Sequence, residues 1–163
     1  MRPGIQLDGT DEGSIYEYEA RMTLMLYGDF VEGDAGSVLA IVSEHKLPLD
    51  AVNALRASAD RLGYGREGCA WVVMRTESEG GGQERLGDQD LRTIIEGIDP
   101  ISVIATDSSS TRSISRAYGV EVPTNSVGRM NGRRFVGLGD FPLMLQEDGS
   151  KRRAWRLLRS LML

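Results

Sequence analysis

Apolar residues in this chain fall into four short, unbroken runs: "SVLAIV" (37–42), "CAWVVM" (69–74), "ISVIA" (101–105) and the apolar end of "RRFVGL" (133–138). Between them the apolar spacing stretches to three or four. "LDAVNALRASADRLGY" puts Val52, Leu55, Ala59 and Leu62 on one helical face, and a later segment does the same with Leu91, Ile94, Ile95 and Ile98 until Asp99-Pro100 stops it. "SSTRSISRAYG" predicts a third helix ending at Gly119, and "KRRAWRLLRSLML" a closing helix with Trp155, Leu158, Leu161 and Met162 as its apolar stripe. Unbroken apolar strands are the pattern of parallel strands covered on both faces. The expected architecture is α/β: a three-layer α/β/α sandwich on a mainly parallel four-stranded sheet, as one domain over 1–163.

Ahead of this core, residues 1–13 read as flexible and a leading helix as 14–28. Ser14 and Glu17 in "SIYE" can cap each other's exposed amides, Ile15, Tyr18, Met22, Met25 and Leu26 form a helical stripe, and Gly28 is the terminator. A competing alternation at Tyr16, Tyr18, Ala20, Met22, Leu24 and Leu26 suits a half-buried strand; helix is the reading adopted. The glycine-rich "ESEGGGQERLG" (77–87) reads as a mobile loop.

Composition narrows the chemistry. At 163 residues and 40% apolar content the chain can enclose a core. It has no window of eighteen apolar residues, and its start lacks the apolar middle of a secretory leader, so the expectation is a cytoplasmic protein without membrane contact. The single cysteine, Cys69, excludes an internal disulfide and any multi-thiolate cluster or zinc site, and its apolar neighbours suggest a buried strand thiol. The net charge of -5 conceals a gradient. Residues 1–111 carry 9 Lys+Arg against 20 Asp+Glu, whereas residues 112–163 carry 10 against 4. A basic end on an acidic chain hints at a polyanion-facing surface, unless acidic neighbours in the fold neutralise it.

In an open parallel sheet, ligands bind beyond the carboxyl ends of the strands. That rule selects "SEHKLP", "RTESEGGG", "TDSSST" and "GDFPL". Glu44 and the sole histidine, His45, are the only candidates for catalysis, although consecutive residues on an extended chain point apart and a solvated loop histidine is the preferred reading. Asp107, Ser108 and Ser109 begin a helix and can either cap it or hold a phosphate. Phosphate loops, dinucleotide fingerprints and a G-x-S-x-G nucleophile elbow are absent; one histidine argues against a zinc hydrolase, whereas an all-oxygen magnesium site stays open without a motif to support it. Arg133 and Arg134 in "GRMNGRR", with Lys151, Arg152 and Arg156 on the closing helix, form the candidate nucleic-acid surface.

Over residues 37–161 the order of "LGYG" at 62, "VVMR" at 72, "DLRTIIEGIDPISVIA" at 90 and "KRRAWRLLRSL" at 151 resembles the uracil-DNA glycosylase superfamily, particularly its small bacterial members. The resemblance implies that superfamily's sheet and a strand-end site. It also exposes two departures. Where members carry an acidic G-E-x-P-G loop this chain has "VSEHKLP", keeping Glu44 and Pro48; where they carry H-P-[SA], it has Phe141 before Pro142. Phenylalanine can stack on a base but cannot donate the hydrogen bond that stabilises a departing one. A relative on the same scaffold without glycosylase chemistry, the psi subunit of the bacterial replicative polymerase, is a precedent. The expected function is therefore a glycosylase-like domain without an intact active site that binds DNA or a replication or repair protein, with Phe141 facing the ligand and no cofactor. The alternatives are an active base-excision glycosylase with an altered site and a small phosphate- or nucleotide-binding α/β protein.

Overall fold

The computed structural model describes residues 9–163. Four parallel strands make the centre, β2 (Leu39–Ser43), β3 (Cys69–Val73), β6 (Ser102–Ala105) and β8 (Arg133–Gly137), each within two residues of an apolar run. The sheet has six strands in the order β1-β3-β2-β6-β8-β7, not the four expected. The extra two, β1 (Val31–Glu32) and β7 (Ser126–Met130), pair antiparallel on β3 and β8 and close the edges. Neither announces itself as a run: β1 is two residues long, and β7 alternates exposed with half-buried positions until the buried Met130, as a strand covered on one side does. The expected glycine-rich loop is likewise structured in part, as a hairpin of β4 (Arg75–Glu77) and β5 (Gln83–Arg85).

Crossover helices cover both faces. α3 (Asp88–Ile98) and α4 (Ser108–Tyr118) pack on one, where Leu91, Ile94, Ile95, Ile98 and Ile114 meet Ala40, Val42, Val72, Val103 and Phe135. α2 (Leu49–Leu62), the short α5 (Phe141–Met144) and α6 (Asp148–Leu158) pack on the other, where Ala51, Leu55, Ala59, Leu62, Ala154 and Leu158 meet Leu39, Ile41, Ile104 and Val136. α2 stops at Gly63, whose φ of 97° is the left-handed conformation glycine adopts at little cost. Asp99 ends α3 in the same region at φ 53°, directly before Pro100, which bars a further helical turn. The chain's end is tied back: Leu163 N–H donates to Leu62 O at 3.0 Å and the Tyr64 hydroxyl to Leu161 O at 2.6 Å.

The leading helix, α1 (Gly9–Leu26), joins the α3 layer, but not as its pattern suggests. It starts five residues before Ser14, so 9–13 are helical rather than loose; the expectation for residues 1–8 lies outside the described residues. Its large stripe does not pack inward, for Ile15, Tyr18, Met25 and Leu26 are 59–72% exposed. The inward side is Ala20 and Thr23, with Leu24 and Tyr27 reaching the core. Thr23 lies so close to Gly97 of α3 that a Cβ there would overlap the threonine hydroxyl and methyl. Small residues carry this helix–helix contact because close approach, not bulk, fills the gap. None of the described helices is long and apolar enough to cross a membrane.

Replacing Gly97 with valine is expected to prise α1 from α3 and destabilise the protein by about 1–3 kcal/mol, read as a lower urea midpoint. A midpoint within error of wild type would show that the α1–α3 contact does not constrain the fold.

Candidate functional site

β2 to β3 crosses through α2 on one face and β3 to β6 through α3 on the other, so the strand order reverses between β2 and β6. Such a reversal opens a crevice at the carboxyl ends, where ligands of open α/β sheets bind. Two predicted residues meet there. Glu44 follows β2 and Asp107 follows β6, and the Glu44 amide donates to Asp107 Oδ2 at 2.9 Å. Both carboxylates are engaged, however. Glu44 is buried, and its Oε1 accepts from Arg75 Nε at 2.7 Å and Arg85 Nε at 2.9 Å, while Oε2 accepts from Arg85 Nη2 at 3.1 Å. Arg85 Nη2 also reaches Ser113 Oγ at 2.8 Å. Burial by itself would raise the Glu44 pKa, but the hydrogen bonds from Arg85 and Arg75 outweigh it and hold the carboxyl below the usual glutamate range. A carboxylate fixed by two guanidinium groups is a poor general base, which counts against Glu44 as a catalytic residue.

The start of α4 is a cap rather than a phosphate cradle. Asp107 Oδ1 accepts from the Ser110 amide at 2.7 Å, and the Ser110 and Thr111 hydroxyls donate to Asp107 O at 3.2 and 2.7 Å. Ser108 Oγ is reached by the Thr124 hydroxyl at 3.3 Å, and Ser109 is half-buried beside it. The aspartate puts its negative charge where an anion would sit. Phe141 corrects the expectation further: it is 2% exposed, in the core with Ala51, Leu55 and Met144, and cannot stack on a ligand. The residue after Asp140 begins α5 and turns inward.

His45 does reach an open surface. With Lys46 it lines a cleft of ≈ 630 Å³ over the ends of β1, β2 and β3, beneath the β4–β5 hairpin. Phe30, Val31, Trp71 and Val73 supply its apolar lining, and the Arg56 guanidinium stands 5.7 Å from the Trp71 ring centroid. Arg75, Asp29, Glu32 and Glu77 complete the polar wall, with both signs of charge present. The sequence reading missed Phe30, Arg56 and Trp71. Only the tryptophan left a trace, a large ring in a strand of smaller residues. Cys69, five residues before Met74 in the same segment, is a structural thiol: burial pushes its pKa up to about 11.

The five proposed cations separate. Arg133 is 8% exposed and consumed at the amino end of β8, the pole opposite the crevice: it pairs with Glu96 and Asp99 at 2.7 Å each and donates to Pro100 O at 2.9 Å. Arg134 fastens the chain end through Ser160 O at 3.1 Å and Met162 O at 3.2 Å. Neither is a free phosphate ligand. Lys151, Arg152 and Arg156 are exposed on α6 beside Arg153 and Arg159, and among the described residues none of these five has a carboxylate within ion-pair distance.

Glu44→Gln is expected to destabilise the protein by about 2 kcal/mol at neutral pH by removing charge-assisted hydrogen bonds. Because the folded pKa of Glu44 is depressed, the wild-type advantage should be complete above the ordinary glutamate range and shrink as pH falls through the lowered pKa. Urea titrations of both proteins between neutral pH and pH 3 check this; a gap independent of pH would refute the ionic clamp.

A scan against protein-family models finds no match for this chain, and no curated protein matches it in sequence.

Proposed function

We propose that this chain is a glycosylase-like module that binds nucleic acid through α6 and does not cleave glycosidic bonds. The observation that carries the reading is the cationic face of α6. Several arginines elsewhere are spent on ion pairs, Arg75 and Arg85 on Glu44, Arg116 on Asp88, Arg133 on Glu96 and Asp99, and others on rings or carbonyls, Arg56 on Trp71, Arg61 on Trp155 and Arg134 on the chain end. On α6 the charges face solvent with no carboxylate at ion-pair distance among the described residues, which is costly to a compact fold and useful to a polyanion-binding one. The helix is also held firmly. Ala154 and Leu158 are buried against the sheet, and Arg61 of α2 lies 4.6 Å from the Trp155 ring, so the guanidinium groups project from a rigid base.

The absence of excision chemistry is supported by the engagement of Glu44 and the burial of Phe141. A departing base needs a positioned donor, and loss of one such group costs about a hundredfold or more in rate. The cleft beside Trp71 offers a stacking surface of the kind single-stranded nucleic acid uses, so the single strand is the favoured ligand.

Fluorescence-anisotropy titrations with a thymidine oligonucleotide and with duplex DNA across a salt series test the reading. Binding should weaken linearly on a log–log plot, and the Arg152→Ala/Arg156→Ala double variant should reduce the slope by about 1.4 for the single strand. No binding at low salt, or a slope unchanged by the double variant, rejects it. Strand scission of a uracil-containing oligonucleotide by the wild type, lost in Glu44→Gln, would replace it with the active-glycosylase alternative.

A further inference from the structure

α1 has two apolar faces, and among the described residues the fold packs against only one. Ala20, Thr23, Leu24 and Tyr27 turn toward α3 and the core. Ile15, Tyr18, Met22 and Met25 recur at spacings of three and four on the other side, with Leu26 next to them. Four of these five are 59–72% exposed, and Met22 is half-buried. Spacing of three and four marks a helix face built to pack against another element, and large residues on such a face lose their contact with water only when a partner covers them. The solvent-facing stripe amounts to on the order of 600 Å² per copy, at the top of what a monomer's largest apolar patch usually exposes. Two such stripes laid together would bury about 1,200 Å² in all, the lower end of the range for a specific, stable interface.

The flanks choose the occupant. Glu17 and Arg21 form an ion pair at 2.6 Å on one side of the stripe, and Glu19 stands on the other. A rim of mixed sign suits neither a polyanion nor an anionic lipid surface, nor does it single out a strongly basic partner. It suits itself. We infer that α1 is the seam of a two-fold homodimer, in which antiparallel α1 helices place Ile15 against Met25 of the other copy and Tyr18 against Met22. Both pairings satisfy one symmetry axis, so the stripe is self-complementary, as an isologous interface must be. The inference is independent of nucleic-acid binding, because α1 and α6 cover opposite faces of the sheet. The dimer leaves both α6 faces outward.

Sedimentation equilibrium of the full chain over a concentration series, with Tyr18→Glu and Met25→Glu alongside, tests it. The expected result is a wild-type mass twice the 17.9 kDa of one chain, and monomers for both variants with unchanged thermal unfolding of the monomer. A wild type that stays monomeric at every concentration overturns the inference whatever the variants do. A dimer that persists in both variants overturns it too, since the interface would then lie elsewhere.

Discussion

The carboxylate of Glu44 is the point on which the strand-end region depends. Its amide is held by Asp107 and its oxygens by Arg75 and Arg85, so one residue ties the end of β2 to α4 and to both strands of the β4–β5 hairpin. The hairpin forms a two-stranded sheet of its own. Its position over the cleft is set by these ionic contacts, by the Arg75 amide donating to Glu44 O at 3.0 Å, and by Leu86, buried in the core beside it. Without the carboxylate, two guanidinium groups would lie together in a partly desolvated crevice with nothing to oppose them. The same arrangement that builds the cleft's wall makes Glu44 a poor general base.

Charge is distributed by layer rather than by sequence half. The basic carboxyl-terminal third splits between a consumed part and a free part. Arg133 joins the β7–β8 hairpin to the end of α3, where Glu96 keeps its carboxyl below the usual range because hydrogen bonds from Arg133, Tyr118 and Asn131 outweigh the cost of its burial. Those acids are the neutralising neighbours that a charge count alone leaves undecided. On α6 the acids Glu147 and Asp148 begin the helix, but among the described residues no carboxylate comes within ion-pair distance of its cations, which stand on the layer opposite α1. A sandwich whose outer layers differ in this way can serve two surfaces at once, one polar and one apolar.

The helical stripe of α1 and the strands of the sheet follow the same rule with opposite outcomes. Periodicity states that residues share a face; it does not state what lies across from that face. In α3 the stripe of Leu91, Ile94, Ile95 and Ile98 meets the sheet. In α1 the position is already taken on the sheet side by residues small enough to let Thr23 approach Gly97.

The chain's own pattern determined the parallel core: four apolar runs, each too hydrophobic to face water on either side, separated by segments that read as crossover helices. That much is local, because burial on both faces leaves its imprint on every residue of a strand. The edge strands, the hairpin, the length of α1 and the inward turn of Phe141 were decided only in three dimensions. β1 and β7 exist because β3 and β8 present unpaired backbone edges, and a partner's edge is invisible in a two-residue or half-exposed segment. Phe141 looked like a ligand contact because it follows a strand end, yet the space between α2 and α6 lay open to it and water did not compete. The site residues behaved likewise. Sequence identified which side chains carry charge, but whether a charge is free or spent depends on groups 26 to 63 residues away, and only the packed chain brings those together.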